Sequence, residues 1–190
     1  MKRSEFFNLT LALPFVPGSM KPKKLSRTDR VKKGFRVVTG QDRFDKSISL
    51  LEGDTFYTKI SSKDTNGDLY TFESTRVKNG GPTLHVHPGQ DEWWYILEGE
   101  FKIKIGDDLF EAKAGDSVFG PRGVPHTFSK VSEGVARMII TFQPAGKMEE
   151  FFTSVSQGVL KGKSELEQDN FRKAHGFERV GPPLDYFKKF

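Results

Sequence analysis

The segment Leu84-His-Val-His-Pro-Gly-Gln-Asp-Glu92 sets two histidines one residue apart and a glutamate five positions later. Residues i and i+2 of a strand point to one face, so His85 and His87 converge if this stretch is extended. Glu92 stands an odd number of positions past His87 and would face the other way on one straight strand. Pro88-Gly89 turns the chain, and Glu92 then opens the next strand. His126 follows the turn-rich run GDSVFGPRGVPH, so three of the four histidines fall within 42 residues. Three imidazoles and one carboxylate form a nitrogen and oxygen donor set suited to Fe, Mn, Ni, Co, Cu or Zn. A bare His-x-His is more often a pair of surface residues. Here the same segment also supplies the glutamate and the turn, and a third histidine arrives in a similar context. The expectation is one divalent transition metal ion held by His85, His87, Glu92 and His126.

Such groups must be carried by short strands joined by tight turns. The text supplies them at Phe35–Thr39, Thr55–Ser61, Leu69–Val77, Thr83–His87, Glu92–Leu97, Phe101–Ile105, Leu109–Lys113, Ser117–Phe119, His126–Val131 and Val135–Phe142. Asn66-Gly67, Gly80-Gly81, Gly106-Asp107, Gly115-Asp116 and Gly120-Pro121 punctuate them. Many short strands with little helix among them predict an all-β antiparallel sandwich or barrel. In the strand after Glu92, both faces carry large apolar residues, Trp94 and Ile96 on one and Trp93, Tyr95 and Leu97 on the other. Both faces are therefore expected to be buried, and a carboxylate at the head of such a strand needs a partner or a metal. After Gly146 the period changes. Met148, Phe151, Phe152 and Val155 form one helical face that should pack on the barrel. Ser164 to Glu167 is a capping box, and the helix it starts should run to His175 before Gly176 ends it.

The bulk numbers narrow the function classes. A chain of 190 residues with 18 phenylalanines is long and apolar enough for one domain with a sizeable core. The net charge of +5 is unevenly spread. Residues 1–33 hold nine Lys/Arg and two acids, a charge of +7, leaving 21 basic and 23 acidic residues, or −2, for the rest. The main body therefore lacks the basic footprint of a nucleic-acid-binding domain. The absence of cysteine excludes disulfides, thiolate metal sites and cysteine nucleophiles. No apolar run approaches the roughly 20 residues of a membrane span. The start, MKRSEFFNLTLALPFVPG, reads as a strand with Leu9, Leu11 and Leu13 alternating, which could pair with a partner's sheet edge in a homodimer. The alternative is a weak twin-arginine-like export signal, from which Ser4 departs at the second arginine position. A cytoplasmic location is expected, with export as the alternative. The domain organisation expected is an N-terminal strand and basic arm over residues 1–33, a β-barrel over 34–146 and a helical extension over 147–190.

Two patterns in the chain resemble the paired signatures of the cupin superfamily. The first is a glycine, His85-x-His87, Glu92 after four residues and Gly99 after six more. The second is Gly115, five residues, Pro121-x-Gly123, two residues and His126, with Lys130 where an asparagine is usual. Residues 34–145 are similar to small single-domain cupins related to quercetin dioxygenase. The resemblance implies a double-stranded β-helix, or jelly-roll barrel, with a short C-terminal helical segment. It implies His85, His87, Glu92 and His126 as metal ligands in the barrel mouth, with Glu92 also the acceptor of a substrate proton. A metal-dependent oxidoreductase, a dioxygenase of a small aromatic or enolisable substrate, is the leading expectation. A non-catalytic metal-bearing cupin that binds or senses a small molecule is the alternative, and a sugar isomerase comes third. Phe72, Trp94, Phe119, Phe128 and Phe142 are candidate pocket walls, with core packing as their ordinary role. Arg122 could reach an anionic substrate or be a solvated turn residue. His175, at a helix end, is given no catalytic part.

Overall fold

The computed structural model describes residues 30–50 and 53–185. The Leu9/Leu11/Leu13 stretch and most of the basic arm lie outside them. Eleven strands and two helices occur among the described residues: β1 (Ile48–Leu50), β2 (Asp54–Ile60), β3 (Tyr70–Arg76), β4 (Thr83–Val86), β5 (Asp91–Glu98), β6 (Glu100–Ile105), β7 (Asp108–Lys113), β8 (Ser117–Gly120), β9 (His126–Lys130), β10 (Ala136–Gln143), α1 (Met148–Ser156), α2 (Glu165–Ala174) and β11 (Glu178–Pro183). All strand pairings are antiparallel. One sheet has the order β1-β2-β3-β10-β5-β8, and the other β11-β4-β9-β6-β7. This is the all-β antiparallel sandwich expected from the turn spacing, in the jelly-roll form that the resemblance implied.

Period-two alternation builds the core between the sheets. Tyr70 and Phe72 of β3, Trp94 and Ile96 of β5, Met138, Ile140 and Phe142 of β10, and Phe101 and Ile103 of β6 are all buried. Burial of each such side chain stabilises the fold by about 1.5–3 kcal/mol. The outer face of β5 departs from expectation, because Trp93 and Leu97 are only half-buried and Tyr95 is exposed. Trp93 and Tyr95 instead stack on each other with ring centroids 6.0 Å apart. Among the described residues no element covers the whole of that face, so the aromatic run was only half a burial signal.

The segment Phe35–Thr39, read as a strand, has no strand pairing. The Lys59 ammonium takes the carbonyls of Val38 and Gln41 at 3.0 and 2.8 Å, where a strand would offer amides. Lys59 and Arg137 also hold the buried carboxylate of Glu73 at 3.0 and 2.8 Å, and the Gly40 amide donates to it at 3.2 Å. This network fastens the segment to the outer side of β2, β3 and β10.

Both helices form where predicted. Met148 and Phe151 of α1 are buried, and Phe152 packs edge-on to Phe56 and Phe72 at 5.2 and 5.4 Å. Ser164 and Glu167 cap α2 reciprocally. Beyond α2 the chain does what its sequence did not announce. It returns as β11 and pairs with β4, Arg179 opposite His85. A Gly-Pro-Pro strand is tolerated because it lies at a sheet edge.

Strand β4 meets β9 through a close backbone approach at Gly81. A Cβ there would lie 1.7 Å from the Phe128 carbonyl oxygen. Gly81→Ala must push the two strands apart. The expected loss is about 2 kcal/mol or more of stability, in the upper range for overpacking, with His85 displaced from His126. Urea unfolding checks this, and an unchanged midpoint would show that the approach is not a constraint.

Candidate metal centre

Strands from both sheets bring the four expected donors together. His85 on β4 pairs in register with His126 on β9, and His87 follows two residues later on the same side. Glu92 comes from β5 in the facing sheet, opposite Phe142 of β10 and Gly120 of β8. All four are buried, and one ligand atom from each lies within 4.8 Å of the others. The Pro88-Gly89 turn therefore does what the odd spacing of Glu92 required, carrying the chain from one sheet to the other.

The hydrogen bonds around the rings determine which nitrogens face inward. The Nδ1 atoms of His85, His87 and His126 lie 2.8, 2.7 and 2.9 Å from the carbonyl oxygens of Thr83, Gly176 and Val124. A carbonyl can only accept, so each Nδ1 carries the hydrogen, and each ring when neutral presents a lone pair at Nε2. The three Nε2 atoms lie 3.8, 3.3 and 3.0 Å from Glu92 Oε2, in the order His85, His87 and His126. Four acceptors thus face one another with no donor of their own. A proton on His126 Nε2 can bridge to Glu92, but the buried Nε2 of His87 remains without a hydrogen-bond partner. Donors around an ion with bonds of about 2.1 Å stand roughly 3.0–3.4 Å apart in octahedral or tetrahedral geometry. The His87 and His126 spacings and the unpartnered nitrogen fit a metal ion of that kind, while His85, at 3.8 Å, stands slightly further out.

The charges respond to the same crowding. Burial alone would raise the Glu92 carboxyl, but His126, His85 and His87 outweigh it and hold it well below the usual range. Burial pushes His85 down to about 4. For His126 burial also opposes the charge, and the Glu92 carboxylate more than compensates, raising it. Glu92 is thus ionised, and the cluster attracts a cation.

Residues beyond the histidine motifs complete the site. Phe177 stacks on His85 at 4.2 Å and nearly parallel, and the carbonyl of Gly176 orients His87. Gly176 has φ +80, a left-handed conformation that ends α2, and a Cβ there would come within 2.9 Å of Gln90. The sequence marked Gly176 as a terminator but gave no sign that it holds a donor. Signature spacing stops at His126, whereas these contacts come from a segment about 50 residues further on.

His85, His87 and Glu92 face a cavity of about 950 Å³ bordered by Phe56, Phe72, Phe142, Phe151, Phe152 and Phe177. An aromatic ladder leads away from the cluster, from His87 to Phe142 at 5.2 Å, Phe72 at 6.3 Å and Phe56 at 4.4 Å. Of the predicted wall residues, Phe72, Phe128 and Phe142 border this cavity. Trp94 is core, edge-on to His126 at 5.4 Å, and Phe119 is 57% exposed on the outer surface. Arg122 is committed to Asp91, with Nη2 2.5 Å and Nε 3.0 Å from its carboxylate, and does not border the cavity. His175 caps α2 and hydrogen-bonds the Phe171 carbonyl, away from the four donors. No described helix is long and apolar enough to cross a membrane.

If the four acceptors need a cation, the metal should stabilise the fold. A metal at a hundred times its dissociation constant adds about 2.7 kcal/mol, roughly 5–10 °C at this chain length. Thermal unfolding with and without Zn, Mn or Ni should show that rise in the native chain and its loss in His126→Ala and His85→Ala. Elemental analysis should find about one ion per native chain, and full occupancy in both variants would exclude this site.

The cupin domain family matches residues 67–142, a span that contains all four donors. A curated but uncharacterized protein of Methanocaldococcus jannaschii is 28% identical over 67 residues, covering 35% of this chain and 54% of the relative. The polyketide synthase protein CurC of Streptomyces cyaneus is 25% identical over 92 residues, covering 47% and 57%. The chain thus spans about half the length of the curated relatives it matches. The solved structure of KdgF from a Halomonas species superposes with a TM-score of 0.50 at 17% identity, covering 59% of this chain and 94% of that one, a likeness of fold. The two spaced motifs, the paired antiparallel sheets and the family match agree in placing a cupin domain over residues 67–142.

Proposed function

We propose that the chain is a metal-dependent oxidoreductase, a dioxygenase of a small aromatic or enolisable substrate, with His85, His87, Glu92 and His126 holding one divalent transition metal. The observation that carries this reading is the juxtaposition of four converging acceptors with an open, aromatic-walled cavity. A bound ion would supply Lewis acidity toward a substrate oxygen and a path for electrons to dioxygen. A dioxygenase places both atoms of O2 in its products, so the substrate supplies the electrons and no separate reductant is needed. The chain's own residues do the rest. Phe142, Phe72 and Phe56 receive the substrate ring and limit water around it. Glu92, ionised at neutral pH, accepts the proton of the substrate hydroxyl. The Nδ1 bonds to Thr83, Gly176 and Val124 keep the imidazoles in one tautomer throughout. A relative named for polyketide synthesis supports the choice of enolisable carbonyl compounds, and it is similar over only part of its length.

Oxygen uptake with quercetin and a panel of catechols tests the reaction, using protein reconstituted separately with Fe, Mn, Ni, Co and Cu. Turnover with at least one metal is expected. Glu92→Gln should lower it by about 100-fold or more, the usual range for a lost general base, while elemental analysis still finds bound metal. No uptake with any metal, together with tight binding of an unoxidised compound, would reassign the chain as a small-molecule-binding cupin.

A further inference from the structure

The cavity has a second polar end. Arg76 shares the inward face of β3 with Phe72 and borders the same cavity, yet is only 8% exposed. Its guanidinium covers the Phe128 ring at 5.0 Å and meets one carboxylate oxygen of Asp54 at 2.6 Å. Its Nε is buried and has no hydrogen-bond partner among the described residues. A guanidinium has five N–H donors, and burying them without acceptors is costly. A second buried cation lies close by. Lys130 is 1% exposed, and its ammonium donates to Asn79 Oδ1 at 2.8 Å and to the Ser132 carbonyl, both neutral acceptors. Burial and the nearby Arg76 both lower its pKa. Among the described residues no carboxylate pairs with Lys130, so Asp54 stands against two buried cations. Two buried cations thus stand at this end of the cavity, and Arg76 keeps one unused N–H donor.

Its position relative to the donor cluster follows from strand geometry. Phe128 faces inward two residues beyond His126 on β9, about 7 Å along the strand. Arg76, seated on the Phe128 ring, is therefore separated from the histidines by the width of roughly one or two aromatic rings. Phe72, Phe142 and Ile140 border the same cavity.

We propose that Arg76 is a second anchoring point of this cavity, binding an oxyanion of a ligand whose aromatic body lies along the phenylalanine ladder. The ligand class is then an aromatic acid, with an oxygen for the histidine cluster at one end and a carboxylate or similar anion at the other. This rests on the cavity being the ligand site of the proposed function, and it adds the charge and length of the ligand. Arg76 positions the ligand and takes no part in proton transfer.

The test uses the full-length chain and two fluorescent probes with the same aromatic body. These are 1-anilinonaphthalene-8-sulfonate, which is anionic, and N-phenyl-1-naphthylamine, which is neutral. Metal-free native protein should bind the anion at least tenfold more tightly. In Arg76→Met combined with Asp54→Asn, which leaves no orphaned carboxylate, that preference should vanish while the neutral probe binds within twofold of native. Should the double variant not fold, Arg76→Lys decides, with an expected three- to tenfold weakening for the anionic probe alone. No preference in the native chain, or a preference that survives the Arg76 changes, overturns the proposal. A preference lost in His126→Ala but kept without Arg76 overturns it as well, placing the anion at the cluster and leaving the proposed reaction intact. Arg76-dependent preference without oxygen uptake would support the anchor and sink only the reaction.

Discussion

Four buried acceptors that face one another without a donor form the interaction on which the rest of the structure depends. Three imidazoles would each be easy to satisfy alone, by turning either nitrogen toward water or a backbone group. Here the Nδ1 atoms are spent on the Thr83, Gly176 and Val124 carbonyls, and the Nε2 atoms have nowhere to turn. A carboxylate added to that set makes the demand for a cation stronger, because Glu92 is buried and remains ionised. Removing one histidine would relieve the crowding, and the geometry persists because strands β4, β5 and β9 and the end of α2 hold it from different sides.

Those supports explain features that otherwise look unrelated. Gly81 lets β4 lie against β9, so that His85 and His126 meet in register. Gly176 ends α2 in a conformation that aims a carbonyl at His87, and Phe177 then covers the ring of His85. The C-terminal helices are therefore part of the site's wall. Helix α1 contributes Phe151 and Phe152 to the cavity, and the return of β11 along β4 closes its edge. Among the described residues, Phe56, Phe72, Phe142, Phe151, Phe152 and Phe177 shield the donors from water and leave a space that a ring could occupy.

Much of this was legible in the residue order because local chemistry wrote it there. Period-two alternation and Gly-containing turns gave the strands from Asp54 to Gln143, and the capping box gave the start of α2. The four donors could be found because strand periodicity and one Pro-Gly turn suffice to bring them together. What could not be read depends on contacts between distant segments. The pairing of β11 with β4 is invisible in Glu-Arg-Val-Gly-Pro-Pro, whose prolines argue against a strand unless an edge is available. Phe35–Thr39 stays unpaired where a lysine 21 residues beyond Val38 takes that residue's carbonyl. Exposure of Phe119 and Tyr95 follows from which sheet face lacks a covering element among the described residues, and alternation alone cannot tell that. Arg76 read as the end of a strand, and its burial beside Asp54, Phe128 and Lys130 emerges only when both sheets close.

X-ray absorption at the zinc edge of the zinc-loaded, full-length chain tests the donor set most directly. Three imidazoles and a carboxylate should give nitrogen and oxygen neighbours at about 2.0–2.2 Å, with the outer-ring scattering of three histidines. His126→Ala should remove one imidazole's share of that scattering. A spectrum without imidazole scattering, or one unchanged by that substitution, would contradict metal binding through His85, His87, Glu92 and His126.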